Sequence, residues 1–136
     1  MKVRFYMKDK STLLEEWVKI AEEDLLSADA LLKHDYIYPR SICFHCQQAA
    51  EKYLKAYLLY FDLDIIKTHD LSSLVNQLST RDTKILDIIN AASTLTPYAI
   101  SVRYPDDFEL ISVEETKEAY SQAVAIKDYI RSKINL

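Results

Sequence analysis

The 136-residue chain contains no glycine and only three prolines, two cysteines, two methionines and one tryptophan. Each shortage excludes something. Tight hairpin turns and most bulges rely on glycine for positive φ, so a chain without it favours helices over an antiparallel sheet. The same absence removes every glycine-rich phosphate loop and the Gly-x-Ser-x-Gly nucleophile elbow, and no His-Glu-x-x-His is present. No apolar run approaches the ~18 residues of a membrane span, and the first residues lack a secretory apolar segment. A cytoplasmic protein with no membrane association is therefore expected. Cys43 and Cys46 stand three apart on one predicted helix, which makes no disulfide framework and suits reduced thiols. Excess positive charge is also missing. The net charge of −4 argues against a broad nucleic-acid platform and leaves room only for a local basic site.

What is present is apolar and periodic. Hydrophobic residues make up 49% of the chain, enough for one packed domain over residues 1–136 rather than a disordered chain. Ten tyrosines suit core edges, with the ring buried and the hydroxyl wet. The organising stretch is 40–60, which no glycine or proline interrupts; as a helix it would span about 30 Å. Ile42, Cys46, Ala49, Tyr53 and Tyr57 recur at steps of three and four, and Ala50, Leu54 and Leu58 widen that stripe. This predicts a helix covered on more than one side.

Residues 1–10 read as a lead-in. A first helix is predicted from Ser11 or Thr12, where Thr12 and Glu15 match a capping box, with Leu14, Trp17, Val18, Ala21, Leu25, Ala28, Leu31 and Leu32 facing inward. Pro39 is placed to start the central helix. Thr68 or Asp70 caps a short third helix, and a fourth is predicted over about 81–93. Residues 94–111 are irregular because Pro97 and Pro105 interrupt them. Ser112 with Glu115 opens a last helix whose core face runs from Thr116 to Ile134. The expected architecture is all-α: an antiparallel up-and-down bundle of three long helices and two short ones.

The polar residues set into this frame are the candidate sites. Gln48, Glu51, Lys52 and Lys55 fall at i, i+3, i+4 and i+7, which gathers donors and acceptors on one side of the central helix. A lysine there would meet a phosphate while Gln or Glu reads a base edge; equally, Glu51 and Lys55 make an ordinary helical ion pair. Arg40 and His45 are five apart, an arginine to hold a phosphate and an imidazole to move a proton near neutral pH. His69-Asp70 admits a carboxylate orienting an imidazole and, more commonly, a helix cap. Arg103 and Tyr104, with Asp106 and Asp107, lie on a proline-bounded segment where an arginine binds phosphate and a tyrosine stacks on a base, or where an Arg–Asp pair staples the loop. Cys43, His45 and Cys46 supply too few ligands for zinc, so no metal is expected.

Four segments, in order, resemble the HEPN family of small helical domains: Ala21-Glu-Glu-Asp24-Leu25 with Ala28, Cys46-Gln-Gln-Ala-Ala-Glu-Lys-Tyr-Leu-Lys-Ala56, Thr68-His69-Asp70-Leu71 and Val102-Arg103-Tyr104-Pro105-Asp106. The resemblance covers about residues 12–134. It implies a homodimeric, nucleotide-binding bundle without a cofactor, often encoded beside a minimal nucleotidyltransferase in a toxin–antitoxin-like pair. On that footing Gln48, Glu51, Lys52, Lys55, Arg103 and Tyr104 are the expected nucleotide-binding residues. Some family members are metal-independent ribonucleases that use Arg-x(4–6)-His. Arg40-Ser-Ile-Cys-Phe-His45 fits that spacing, whereas Arg103 is followed by Tyr-Pro-Asp with no histidine in reach.

Overall fold

The computed structural model describes residues 9–99 and 110–135. It holds five α-helices: α1 (Lys10–Leu32), α2 (Pro39–Tyr60), α3 (Leu71–Leu78), α4 (Ile89–Leu95) and α5 (Val113–Lys133). Two 3-10 segments, Thr83–Ile88 and Thr96–Ala99, flank α4. Among the described residues there is no strand, and no helix is long and apolar enough to cross a membrane. The architecture is the antiparallel up-and-down bundle read from the sequence.

Local chemistry sets most of the boundaries. α1 begins earlier than the Thr12–Glu15 capping box predicted. Asp9 is the cap, and its Oδ1 accepts from the Thr12 N–H at 2.8 Å. An ionised carboxylate at this end also meets the positive pole of the helix, which a threonine hydroxyl does not. Pro39 opens α2 as expected. At the other end of α2 the missing glycine is felt. Asp62 takes the left-handed conformation, φ 58°, that glycine usually occupies. Around it the Leu63 N–H donates to the Leu58 carbonyl and the Asp62 N–H to the Leu59 carbonyl, both at 2.9 Å, a Schellman closure. Asp70 caps α3 through the Ser72 N–H, and Ser112 caps α5 through the Glu115 N–H.

The predicted fourth helix over 81–93 is corrected. The chain makes a 3-10 turn capped by Asp82 before α4 begins at Ile89. Ile85 and Ile88, three apart, are the buried pair, while Leu86 is 44% exposed. That is the three-residue period of a 3-10 helix. α4 then runs to Leu95, and Pro97 is accommodated in the following 3-10 turn, so part of the stretch read as irregular is helical.

α2 is the hub. Ile42, Cys46, Ala49, Ala50, Tyr53, Leu54, Tyr57 and Leu58 are all buried. α1 packs along one flank and α5 along another, and α3 and α4 close the bundle. The core face of α5, from Thr116 through Ala119, Ala123, Ile126 and Ile130, is buried against it. Burying so much of one helix leaves a narrow strip for polar side chains, and that strip defines the site.

Candidate functional site

Two carboxylates with little exposure organise the polar strip of α2, one contributed by α1 and one by α2 itself. Asp24, on α1, accepts through Oδ1 from His45 Nδ1 at 3.0 Å and through Oδ2 from Lys52 Nζ at 2.6 Å. Glu51, on α2 beside Lys52, accepts through Oε2 from Lys55 Nζ at 2.7 Å. Its Oε1 takes Gln47 Nε2 at 3.0 Å and His69 Nδ1 at 2.9 Å. Gln48 then donates to the Gln47 side-chain oxygen at 2.7 Å. The same unit occurs twice: a carboxylate shared between a lysine and the Nδ1 of a histidine.

The physical consequences follow from burial and donor inventory. An ionised carboxylate only accepts, so Nδ1 is the donating nitrogen in each contact, and Nε2 is the ring nitrogen left for a further partner. The Glu51 side chain is 7% exposed and that of Lys55 12%. Burial pushes the Glu51 carboxyl up, but donation from Lys55, His69 and Gln47 outweighs it and holds the group below its usual range. Glu51 is therefore an anion whose charge is already met. His69, by contrast, has a side chain 70% exposed, which places an imidazole at the surface on a buried carboxylate.

Beside that cluster a cleft of about 250 Å³ is lined by Lys55, Lys67, Thr68 and His69. Two lysines, a threonine and a histidine line it, residue types whose donors recognise a phosphate or another oxyanion. His45 belongs to the other unit, its side chain 32% exposed.

The HEPN domain model matches residues 14–133 of the chain. The chain belongs to the HEPN domain family. Two solved structures share the fold of this HEPN domain. TT1696 from Thermus thermophilus is 29% identical, with a TM-score of 0.75 over 89% of this chain and 98% of that one. ST0689, described as an archaeal HEPN homologue, is 26% identical, with a TM-score of 0.69 over 90% of this chain and 98% of that one. No curated protein matches the chain.

The HEPN fold separates residues that sequence spacing grouped together. Gln48, Glu51 and Lys55 stay in one network, while Lys52 turns away to Asp24. Arg40 lies exposed in the first turn of α2; a helix turns about 140° over the five positions to His45, so the two leave the axis in different directions. His69 pairs with Glu51 and not with its neighbour Asp70, which caps α3. Arg103, Tyr104, Asp106 and Asp107 lie outside the described residues. Cys43 and Cys46 point into the core, where burial pushes their thiols up to about 11 and about 12. Among the described residues no group of three or more His, Cys, Asp or Glu is placed to hold a metal ion.

Sequence reasoning missed Asp24, Gln47 and the Lys67-Thr68 pair as members of the site. Asp24 left its signal in the Ala21-Glu-Glu-Asp24-Leu25 segment that carries part of the family resemblance; the flank of α1 it shares with Leu13 and Ile20 is partly exposed and by itself calls for no partner.

Proposed function

We propose that this HEPN domain is a nucleotide-binding module that seats phosphates in the cleft of Lys55, Lys67, Thr68 and His69. The observation that carries the reading is the gathering of Lys55, Lys67, Thr68 and His69 around one cleft, Lys55 and His69 being held there by Glu51 and Lys67 adding a charge of its own. The protein as a whole is acidic, and with Lys55 offset by Glu51 the excess positive charge at this cleft comes from Lys67. Lys67 supplies a mobile point charge, and Lys55 is held in place by Glu51. Gln48 stands beside the cluster as a neutral group that can pair with a base edge.

Calorimetry with ATP tests this directly. Wild-type protein is expected to bind, with Lys67→Ala weakening affinity about tenfold, the loss of roughly one charge-assisted contact. No heat and no thermal shift with ATP in the millimolar range would remove the reading. Family membership further supports a homodimer that acts with a minimal nucleotidyltransferase in a toxin–antitoxin-like pair. Light scattering on the same sample checks the first part, and a monomeric mass would sink it. Co-purification with a nucleotidyltransferase encoded alongside checks the second, which a separable pair would overturn.

A second reading, metal-independent RNA cleavage by Arg40 and His45, is favoured by one observation: Asp24 fixes the His45 ring at 3.0 Å. A ring so oriented presents Nε2 to take the proton of a ribose 2′-hydroxyl while an arginine holds the phosphate. Incubation with total RNA in EDTA decides it. Cleavage that falls about 10²- to 10⁴-fold in His45→Ala supports it; RNA left intact by the wild type sinks it.

A further inference from the structure

The chain has three histidines, and their surroundings differ. His45 is held by Asp24 and belongs to the second reading above. His34 is exposed, and its Nδ1 lies 3.2 Å from the Tyr36 main chain. His69 joins an open ring to a buried anion. Its side chain is 70% exposed, while that of Glu51, which accepts from Nδ1 at 2.9 Å, is only 7% exposed. With the Nδ1 proton directed at Glu51, the lone pair of the neutral ring lies on Nε2, the nitrogen left for an incoming group.

A histidine held in this way is a nucleophile. A carboxylate behind the ring fixes its orientation and makes the far nitrogen more basic, the arrangement that poises imidazoles for covalent and acid–base work. When Nε2 bonds to an electrophile, positive charge develops on the ring, and Glu51 meets that charge across the Nδ1 contact. The surrounding groups say which electrophile fits. Lys67, two positions before His69, is exposed and lines the same cleft. The Thr68 hydroxyl oxygen accepts from the Asp70 N–H at 3.0 Å, which leaves its own proton free to donate. Lys55 places one of its three N–H donors on Glu51. The nearby Asp70 carboxylate is taken up by the Ser72 N–H and the Ser73 hydroxyl. Cationic and hydroxyl donors beside a nucleophilic nitrogen suit a phosphoryl group, whose oxygens stay negative throughout its transfer.

We infer that His69 is a phosphoryl-accepting residue, which takes a phosphoryl group onto Nε2 from a phosphoramidate-type donor while Glu51 holds Nδ1 and Lys67 and Thr68 hold the phosphoryl oxygens. This chemistry rests on the phosphate-holding cleft of the nucleotide reading, yet it requires no base or sugar. The lone pair on Nε2 forms the new N–P bond. The P–N bond of the donor breaks, and its electron pair leaves on the donor nitrogen. Phosphoramidate carries a proton on that nitrogen near neutral pH, so it departs as ammonia. The Nδ1 proton stays between His69 and Glu51. One P–N bond replaces another, so the exchange needs no further source of energy, oxidant or reductant.

Potassium phosphoramidate is the probe. The full chain is incubated with it at mildly alkaline pH, and peptide mass spectrometry then compares the labelling rates of the histidines within one sample. His69 should react at least about tenfold faster than His34, which is exposed but has main chain rather than a carboxylate at its ring. Phosphorus NMR should show an N-phosphoryl group that acid removes and alkali leaves. Lys67→Ala, at an exposed position, should slow His69 about tenfold and leave His34 as it was. In Glu51→Gln the ratio of the two rates should fall to about one. Equal rates at His69 and His34 in the wild type overturn the proposal, as does a His69 rate that Lys67→Ala does not change. ATP binding by a protein whose His69 stays unlabelled removes this inference and keeps the nucleotide reading. Fast labelling of His69 in a protein that gives no heat with ATP does the reverse.

Discussion

Replacing Glu51 with glutamine is expected to lower the unfolding free energy by about 2–4 kcal/mol, read as a fall in the urea midpoint at constant slope. The reason is the partner left behind. Lys55 has a side chain only 12% exposed, and its counter-charge would be gone. The His69 contact at 2.9 Å and the Gln47 contact at 3.0 Å would also be weakened, because an amide cannot serve three donors as a carboxylate does. Breaking one side of a buried pair is far worse than removing both, so Glu51→Leu with Lys55→Met should recover most of the loss. The pH dependence has a definite sign. The folded Glu51 carboxyl titrates below its usual 4.5. Its contribution is therefore present above that value and is lost as pH falls through the lowered one. Wild type and Glu51→Gln should differ most at neutral pH and converge in acid. Equal midpoints at pH 7 would show that the cluster does not hold the fold. A stability gap with unchanged ATP affinity would leave the cluster structural and free the cleft from it.

The course of the backbone was legible because helices write themselves into periodicity and caps. The stripe from Ile42 to Tyr57 and the serine at 112 each specify local structure through neighbours a few residues away, and those interactions survive in the fold. The site was only half legible for the complementary reason. Asp24 meets His45 across 21 positions and Glu51 meets His69 across 18. No spacing rule reaches that far. Within α2, the i, i+3, i+4, i+7 pattern correctly brought Gln48, Glu51 and Lys55 together but included Lys52. Three positions separate Lys52 from Lys55, a rotation of about 60°, and different neighbours stand on the two sides: α1 with its aspartate, and the segment before α3 with its histidine. The 3-10 turn at Thr83–Ile88 was missed because the apolar residues between 85 and 92 satisfy a helical period, while which of them is buried depends on α5 and α3 packing over them.

Asp82→Ala is expected to be about as destabilising, roughly 2–4 kcal/mol, although Asp82 lies on no long helix. Its Oδ2 accepts from the hydroxyls of Tyr57 on α2 at 2.8 Å and Tyr129 on α5 at 2.6 Å. Its Oδ1 caps the 3-10 turn through the Lys84 N–H at 3.2 Å. One carboxylate thus ties three elements, and losing it strands two phenols and a cap at once. Removing single donors should cost less, about 1–2 kcal/mol each for Tyr57→Phe and Tyr129→Phe. Combining either with Asp82→Ala should cost less than the sum of the two, because all three share one acceptor. The titration gives an independent check. Burial first, and then Asp82 itself, push both phenols above the usual tyrosine range. A raised tyrosine value stabilises the fold below the unfolded value near 10 and is lost as pH rises through the folded one. Asp82→Ala should therefore bring tyrosinate absorbance in at lower pH, and its stability gap to wild type should close as pH rises through the tyrosine range. If tyrosinate appears at the same pH in both proteins while stability falls, the loss comes from the cap alone, and the three-way tie is not what holds α2 to α5.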